Sequence, residues 1–196
     1  MRPTVLSRQL VSGPPDRPTP LDAFKAARRM FTAGERIEMQ VLAAELGISR
    51  VTLHRWVGSR DELLGEVLWS LAEPTLNEAR RTTRTRGGAG IAETFWRFTS
   101  AVHAAPFMQR FLTREAEIAL RVLTTNHAPV QSRLTNMLRE MLAAEVDAGR
   151  LDPPMQVEDL AYVIIRLGES FVYTDLITGG KPDPDKVRQA IVALLR

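Results

Sequence analysis

The stretch "ISRVTLHRWVGSRDELL", residues 48–64, decides the fold. Placed on a helix at about 100° per residue, its first half sorts into two faces. Leu53, Trp56 and Val57 fall on one side, and Val51, Thr52, His54 and Arg55 on the other. Ser49 stands at the N-cap position and Gly58 ends the helix. Ser59 and Glu62 then form the S-x-x-E pattern of a capping box, which opens another helix. Upstream, "VLAAELGIS" supplies a short helix with Ala43 and Ala44 for close approach, a turn at Gly47 and the capping serine. This is the grammar of a helix-turn-helix. The outer face suits the edge of a DNA groove: a cation, an imidazole, a hydroxyl and a β-branched methyl pair that can meet a thymine methyl. The candidate DNA contacts are Ser49, Arg50, Val51, Thr52, His54 and Arg55, with Arg60 at the next helix's N-terminus as a phosphate contact. An αα corner with a solvated face has the same turn, so the turn alone leaves both readings open.

The charge distribution points to the same end of the chain. The 196 residues carry a net charge of only +3. Residues 1–65 hold 10 Lys/Arg against 7 Asp/Glu, so the remainder is balanced at 16 against 16. A polyanion partner at the N-terminal end fits this asymmetry, as does a solvated basic face. The chain is 44% hydrophobic, enough for a real core, and has no cysteine. A disulfide framework and cysteine-based metal sites are therefore excluded, in keeping with a reducing cytoplasm. No apolar run is long enough for a transmembrane helix, and prolines break up the N-terminus where a signal peptide would need an apolar core.

Periodicity elsewhere is helical throughout. Residues 1–18 read as a disordered basic tail. Thr19, Pro20 and Asp22 start a helix whose apolar positions are 23, 24, 27, 30 and 31 and which Gly34 ends. A second helix spans 39–46, a third 49–57, and a long fourth one runs to about Arg81 with Pro74 inside it. "TTRTRGGAG", 82–90, reads as a linker. Helical patterns follow at 91–104, 106–125, 128–149, 156–178 and 183–195. The expected fold is all-α: a three-helix helix-turn-helix head (19–65), joined by a long helix to a C-terminal helical bundle (66–196).

Within the bundle one feature is chemically odd. Glu115 lies at the centre of the apolar face formed by Met108, Phe111, Leu112, Ile118, Ala119, Val122 and Leu123. A buried carboxylate requires a partner. Either a protein group satisfies it, with His103 and Arg166 as candidates, or it marks a polar spot in a ligand cavity. Thr99 sits among Ile91, Phe95 and Val102, flanked by Trp96 and His103; Leu134, Met137, Leu138 and Met141 share a later helix. The candidate ligand-binding set is Trp96, Thr99, His103, Phe111, Glu115, Met137, Met141 and Arg166, around a small, largely apolar molecule. Any bundle core contains such residues. Helix 156–178 offers two faces, one of Leu160, Val163, Ile164, Leu167 and Phe171, the other of Tyr162, Arg166, Glu169 and Tyr173. The second of these suits a partner chain.

"AFKAARRMFTAGERIEMQVLAAELGISRVTLHRWVGSRDELL", residues 23–64, resembles the N-terminal domain of the TetR family of bacterial transcriptional regulators. Phe31, Gly34, "LAAELGIS", "TLHRW" and "GSRDELL" carry the resemblance. His54, Trp56, Val57 and Gly58 stand where the family commonly has Tyr, His, Phe and Pro, and Val51 replaces a small residue. Base preference is therefore not inherited. The resemblance implies a homodimer that binds a palindromic operator in double-stranded DNA. It also implies a C-terminal ligand-binding and dimerisation domain; there the last helix, with Val187, Ile191, Leu194 and Leu195, either completes an intersubunit four-helix arrangement as in TetR-like dimers or folds on its own subunit. The stretch "RLGESFVYTDLITGG" and the proline-broken tail are similar to the QsdR-type subgroup, regulators of lactone degradation. That likeness implies a γ-lactone or acyl-homoserine lactone as effector.

The expected function is a ligand-responsive repressor with no cofactor. The alternatives are a helical enzyme and a helix-turn-helix adaptor that does not bind DNA. The enzyme reading lacks a cysteine nucleophile, an H-E-x-x-H, a P-loop and a dinucleotide glycine motif, and His54, His103 and His127 lack metal-ligand spacing.

Overall fold

The computed structural model describes residues 17–125 and 129–195. Most of the basic tail, residues 1–16, and His127 lie outside the described residues. Among the described residues the chain is all-α. The head comprises α1 (Pro20–Thr32), α2 (Met39–Glu45) and α3 (Arg50–Val57). Thr19 and Asp22 close a capping box at the start of α1. Ala23 and Ala27 are fully buried there, so α1 lies close on its neighbours, and Leu42, Leu53 and Ile37 fill the space between them. Full burial of Leu53 is worth about 1.5–3 kcal/mol. Gly47, at φ 65°, makes the turn between α2 and α3, and only its left-handed backbone requires glycine there, since a Cβ would meet open space.

The fourth helix, α4 (Arg60–Thr82), joins head to bundle without a break. At 1.5 Å per residue it is roughly 34 Å long. Ser59 and Glu62 form its capping box, and Ser59's backbone N–H and hydroxyl hold the Glu62 carboxyl below the usual carboxylate range. It packs on α1 and α3 at one end and on the bundle along the rest. The expected boundary at 65/66 falls inside it. Pro74 removes one backbone donor, and the Thr75 hydroxyl bonds the Leu71 carbonyl at 2.7 Å.

The bundle contains α5 (Gly87–Ala104), α6 (Pro106–Arg114), α7 (Ala116–Thr124), α8 (Val130–Asp147), α9 (Val157–Val172), α10 (Thr174–Thr178) and α11 (Pro184–Leu194). Two expected helices are broken. The 106–125 pattern splits at Glu115 (φ −133°, ψ 44°), and the 156–178 pattern splits at Tyr173 (φ −106°, ψ 23°). A single non-helical residue leaves the apolar spacing on either side nearly in phase, so periodicity does not register it. α11 lies on α5 and α9 of its own chain, with Val187 and Ile191 fully buried.

The expected linker is a packing device. Helix α5 begins at Gly87, whose N–H donates to the Glu145 carboxylate of α8 at 2.7 Å. A Cβ on Gly90 would lie 2.6 Å from the Thr85 carbonyl oxygen, and one on Gly88 would lie 2.7 Å from Leu195. The glycines serve contact, not freedom. Gly90→Ala should therefore destabilise the protein by about 1–3 kcal/mol by overpacking, although alanine is the better helix former. Thermal unfolding checks this; a raised melting temperature would show that the Thr85 backbone yields.

Candidate functional site

Helix α3 presents its outer face to solvent. Arg50, Val51, His54 and Arg55 are exposed, Val51 at 80%, while Leu53 is fully buried and Trp56 and Val57 pack partly against the core. Ser49 caps the helix: its Oγ accepts from the Thr52 N–H at 3.1 Å and lies 2.9 Å from the Thr52 hydroxyl. An isopropyl group this exposed gains nothing from folding, and its neighbours are two arginines and a histidine. The face is rigid from behind and open in front.

Arg60 departs from the expectation of a phosphate contact. Its guanidinium points inward, and the side chain is only 16% exposed. Nε donates to the Ile37 carbonyl at 2.6 Å, Nη2 donates to Glu115 Oε2 at 2.6 Å, and Nη1 is buried without a partner. Arg36 lies 3.4 Å from the same carboxylate oxygen. Glu115 is thus satisfied by the head, across the interface, and not by His103 or Arg166. The His103 carbonyl instead accepts from Gln109, and Arg166 bonds Glu169 and the Thr124 carbonyl. Further ties follow the same seam. Arg121 of α7 pairs with Asp61 at 2.6 Å, Arg133 of α8 forks onto Glu66 with two bonds of 2.8 Å, and Arg110 of α6 donates to the Ala33 carbonyl at 3.1 Å. Phe111 packs edge-on against Phe31 of the head, centroids 5.4 Å apart.

The bundle holds a largely apolar, partly open cavity of about 150 Å³. Leu71 and Ala72 of α4, Phe95 and Phe98 of α5, Met108 of α6, Leu123 of α7, Leu134 of α8 and Ile165 of α9 form its wall. Of the expected ligand-binding residues only Thr99 lines it. Phe111 and Glu115 line a separate cleft between head and bundle. Trp96 is turned toward α11, where its Nε1–H donates to Asp185 at 2.7 Å and Arg188 lies over the ring. Met141 is buried elsewhere in the core, and Met137, His103 and Arg166 stand off the cavity wall. Periodicity placed these residues on buried faces but not against one another: Trp96 and His103 share α5 with Thr99, and Met137 and Met141 share α8, yet only Thr99 faces the cavity.

Glu169 and Tyr173, expected on a partner-facing surface, line the cavity instead. Glu169 Oε2 accepts from Arg166 Nη1 at 2.7 Å. Burial nevertheless pushes its carboxyl up to about 7, because desolvation outweighs the Arg166 charge and hydrogen bond. Burial also raises the Tyr173 phenol, with the neighbouring Glu169 adding to the effect. The sequence placed Glu169 on the second face of its helix; that this face meets a cavity was not visible there. Among the described residues no group of three or more His, Asp or Glu is placed to hold a metal ion, and no helix is long and apolar enough to cross a membrane.

Glu115→Gln weakens one charged hydrogen bond across the seam. It should cost about 1.5–3 kcal/mol and lower the melting temperature by roughly 3–10 °C. It should leave the affinity of an apolar ligand for DNA-free protein essentially unchanged, because Glu115 is outside the cavity. A changed ligand affinity at unchanged stability would place it back in the ligand site.

Comparison with known proteins agrees with this geometry. No curated protein sequence matches the chain. Residues 86–196, more than half of it, match the family model "Tetracyclin repressor-like, C-terminal domain". The transcriptional repressor QsdR of the TetR family from R. erythropolis superposes with a TM-score of 0.83 at 29% identity, covering 90% of this chain and 93% of that one. The TetR-family repressor AlkX from Dietzia sp., implicated in biodegradation of n-alkanes, shares the fold at TM-score 0.60 and 23% identity, covering 91% and 94% of the two chains. With its helix-turn-helix head and matching C-terminal domain, the chain belongs to the TetR family of DNA-binding transcriptional repressors.

Proposed function

We propose that the protein is a homodimeric repressor that reads a near-palindromic operator with α3 and is released by a compact γ-lactone held in the bundle cavity. The observation that carries this reading is the position of Phe107. It lines the cavity and also packs edge-on against Phe31 of the head, centroids 5.6 Å apart. A molecule in the cavity therefore presses on a side chain that supports the head. A ligand changes DNA affinity only by binding two conformations unequally. A coupling of about 1–3 kcal/mol corresponds to a 5–150-fold change in DNA affinity. The unbroken α4 is the lever: its first turns are tied to the α6–α7 junction, α7 and α8 through Arg60, Asp61 and Glu66, and Leu68, Leu71, Ala72 and Thr75 farther along it line the cavity.

Cavity size separates the two lactone classes. A cavity of about 150 Å³ accommodates a molecule the size of benzene. A γ-lactone with a short alkyl chain is of that order; an acyl-homoserine lactone is larger and requires the bundle to open. QsdR, described as a TetR-family repressor, is one of the similar structures, at 29% identity. Dimerisation is assigned to the outward faces of α9 and α11, where Tyr162 is 50% exposed. Two-fold symmetry then sets the recognition helices about one DNA turn apart, or a multiple of it.

On DNA, Ser49, Arg50, Thr52, His54 and Arg55 supply polar contacts and Val51 an apolar one. Arg50→Ala or Arg55→Ala should weaken binding and flatten the salt dependence by about one unit each if the lost contact is to a phosphate. Arg60→Ala should leave that slope unchanged, because its guanidinium points inward to Glu115 and the Ile37 carbonyl and reaches no phosphate. Val51→Ala should change base preference. Titrations of duplex DNA at several salt concentrations test this set; an Arg60→Ala slope change equal to that of the exposed arginines would put Arg60 on the DNA. Sedimentation should give about twice the 21.9 kDa chain mass, and a stable monomer would remove the dimer.

A further inference from the structure

We propose that Glu169, in its protonated form, is the hydrogen-bond donor that selects the effector, so that the cavity takes a small apolar molecule whose head offers a carbonyl oxygen and no donor. This rests on the reading of the cavity as the effector site. Little else in the wall is polar. The hydroxyls of Thr75 and Thr99 already donate to the Leu71 and Phe95 carbonyls of their own helices, at 2.7 and 2.9 Å. That leaves Glu169 and the Tyr173 hydroxyl.

The geometry fixes where a proton on Glu169 would sit. Oε2 accepts a hydrogen bond from Arg166 Nη1 at 2.7 Å. A guanidinium has donors and no acceptor, so a proton on that oxygen would face another donor. Among the described residues only Oε2 carries a hydrogen bond, to Arg166, and Glu169 is part of the cavity wall, so a proton on Oε1 is left for a ligand there. An ionised carboxylate set against a carbonyl oxygen in a largely apolar site brings two sets of lone pairs together, which is costly. A protonated one donates to the same oxygen. An apolar ligand also removes water from the carboxyl and shifts it further toward the neutral form.

Of the charged or titratable groups, Arg166 on the same helix and Tyr173 at its end act on this carboxyl. The other walls, from α4, α5, α6, α7 and α8, turn only apolar side chains and the two threonines to the cavity. Burial has already brought the carboxyl to about 7, so both forms are present near neutrality. The sign follows by linkage. A ligand that binds the protonated form binds fully below about pH 7 and loses up to tenfold in affinity per pH unit above it. A ligand with a donor head shows the opposite trend.

The test titrates γ-hexalactone, 3-octanone and 4-ethylcyclohexanol into the full-length, DNA-free protein by calorimetry between about pH 6 and pH 9. The lactone and the ketone, which carry acceptors only, should bind with proton uptake, weakening by roughly 50–100-fold across that range. The alcohol should bind weakly, without that fall. Glu169→Gln keeps a donor at every pH and should bind the lactone with a flat profile. The wild-type profile stands without the variant if the variant does not fold. A flat wild-type profile, the same fall persisting in Glu169→Gln, or tightest alcohol binding at high pH would overturn the proposal. So would failure of both acceptors to bind at any pH. Binding of the ketone alone, with the expected fall, would refute the lactone as effector while upholding the role of Glu169.

Discussion

The attachment of α4's first turn is the constraint on which the rest of the structure depends. Arg60, Asp61 and Glu66 all lie within the first seven residues of that helix, and each is bonded to a different bundle helix or junction. The Arg60–Glu115 pair is the most enclosed of the three, with side chains 16% and 11% exposed. Burying two charges is costly, and a pair like this is weak evidence of stability in itself. Its consequence is geometric. It holds the head at one orientation and does so at the residue where α6 and α7 part. An apolar contact of the same area would allow sliding; a directed ion pair with a backbone bond to the Ile37 carbonyl does not.

That arrangement gives the molecule two layers of connection between head and bundle. The ionic layer lies at the seam, where Arg36 and Arg60 reach Glu115 of the bundle and Arg110, Arg121 and Arg133 of the bundle reach the Ala33 carbonyl, Asp61 and Glu66. The aromatic layer lies just inside, where Phe107 and Phe111 meet Phe31 edge-on. Phe107 belongs to both the seam and the cavity wall. Close-packed interiors transmit displacement because they cannot compress. A ligand-filled cavity and an empty one therefore need not differ much in volume to differ at the head.

The cavity itself joins apolar walls to one buried acid. Its carboxyl sits on α9 beside Gly168, where a Cβ would come within 2.7 Å of the Phe95 ring. The helix pair α5–α9 is thus drawn close at the level of Glu169, which brings the acid to the cavity and removes water from it. The raised carboxyl is a result of this packing and not of the local sequence.

The head was legible in the sequence because its signals are local. Capping boxes at Thr19–Asp22 and Ser59–Glu62, the left-handed turn at Gly47 and the split of α3 into Leu53 and Val51 faces each depend on residues a few positions apart. Chain chemistry alone sets such features, and the all-α class with its helix-turn-helix followed from them. The sites in the bundle were not legible in the same way. Glu115 was recognised as a carboxylate needing a partner, yet its partners are 55 and 79 positions away, in the head. Glu169 was recognised as part of a polar face, yet the neighbours that make that face a cavity come from five other helices. Helical periodicity tells which side of a helix is buried and says nothing about what it is buried against. The sequence by itself determined the helices, their caps and the exposed face of α3; the tertiary structure alone decided the breaks at Glu115 and Tyr173, the partner of Arg60 and the acid in the cavity, because each of these depends on which distant helices the folded core brings together.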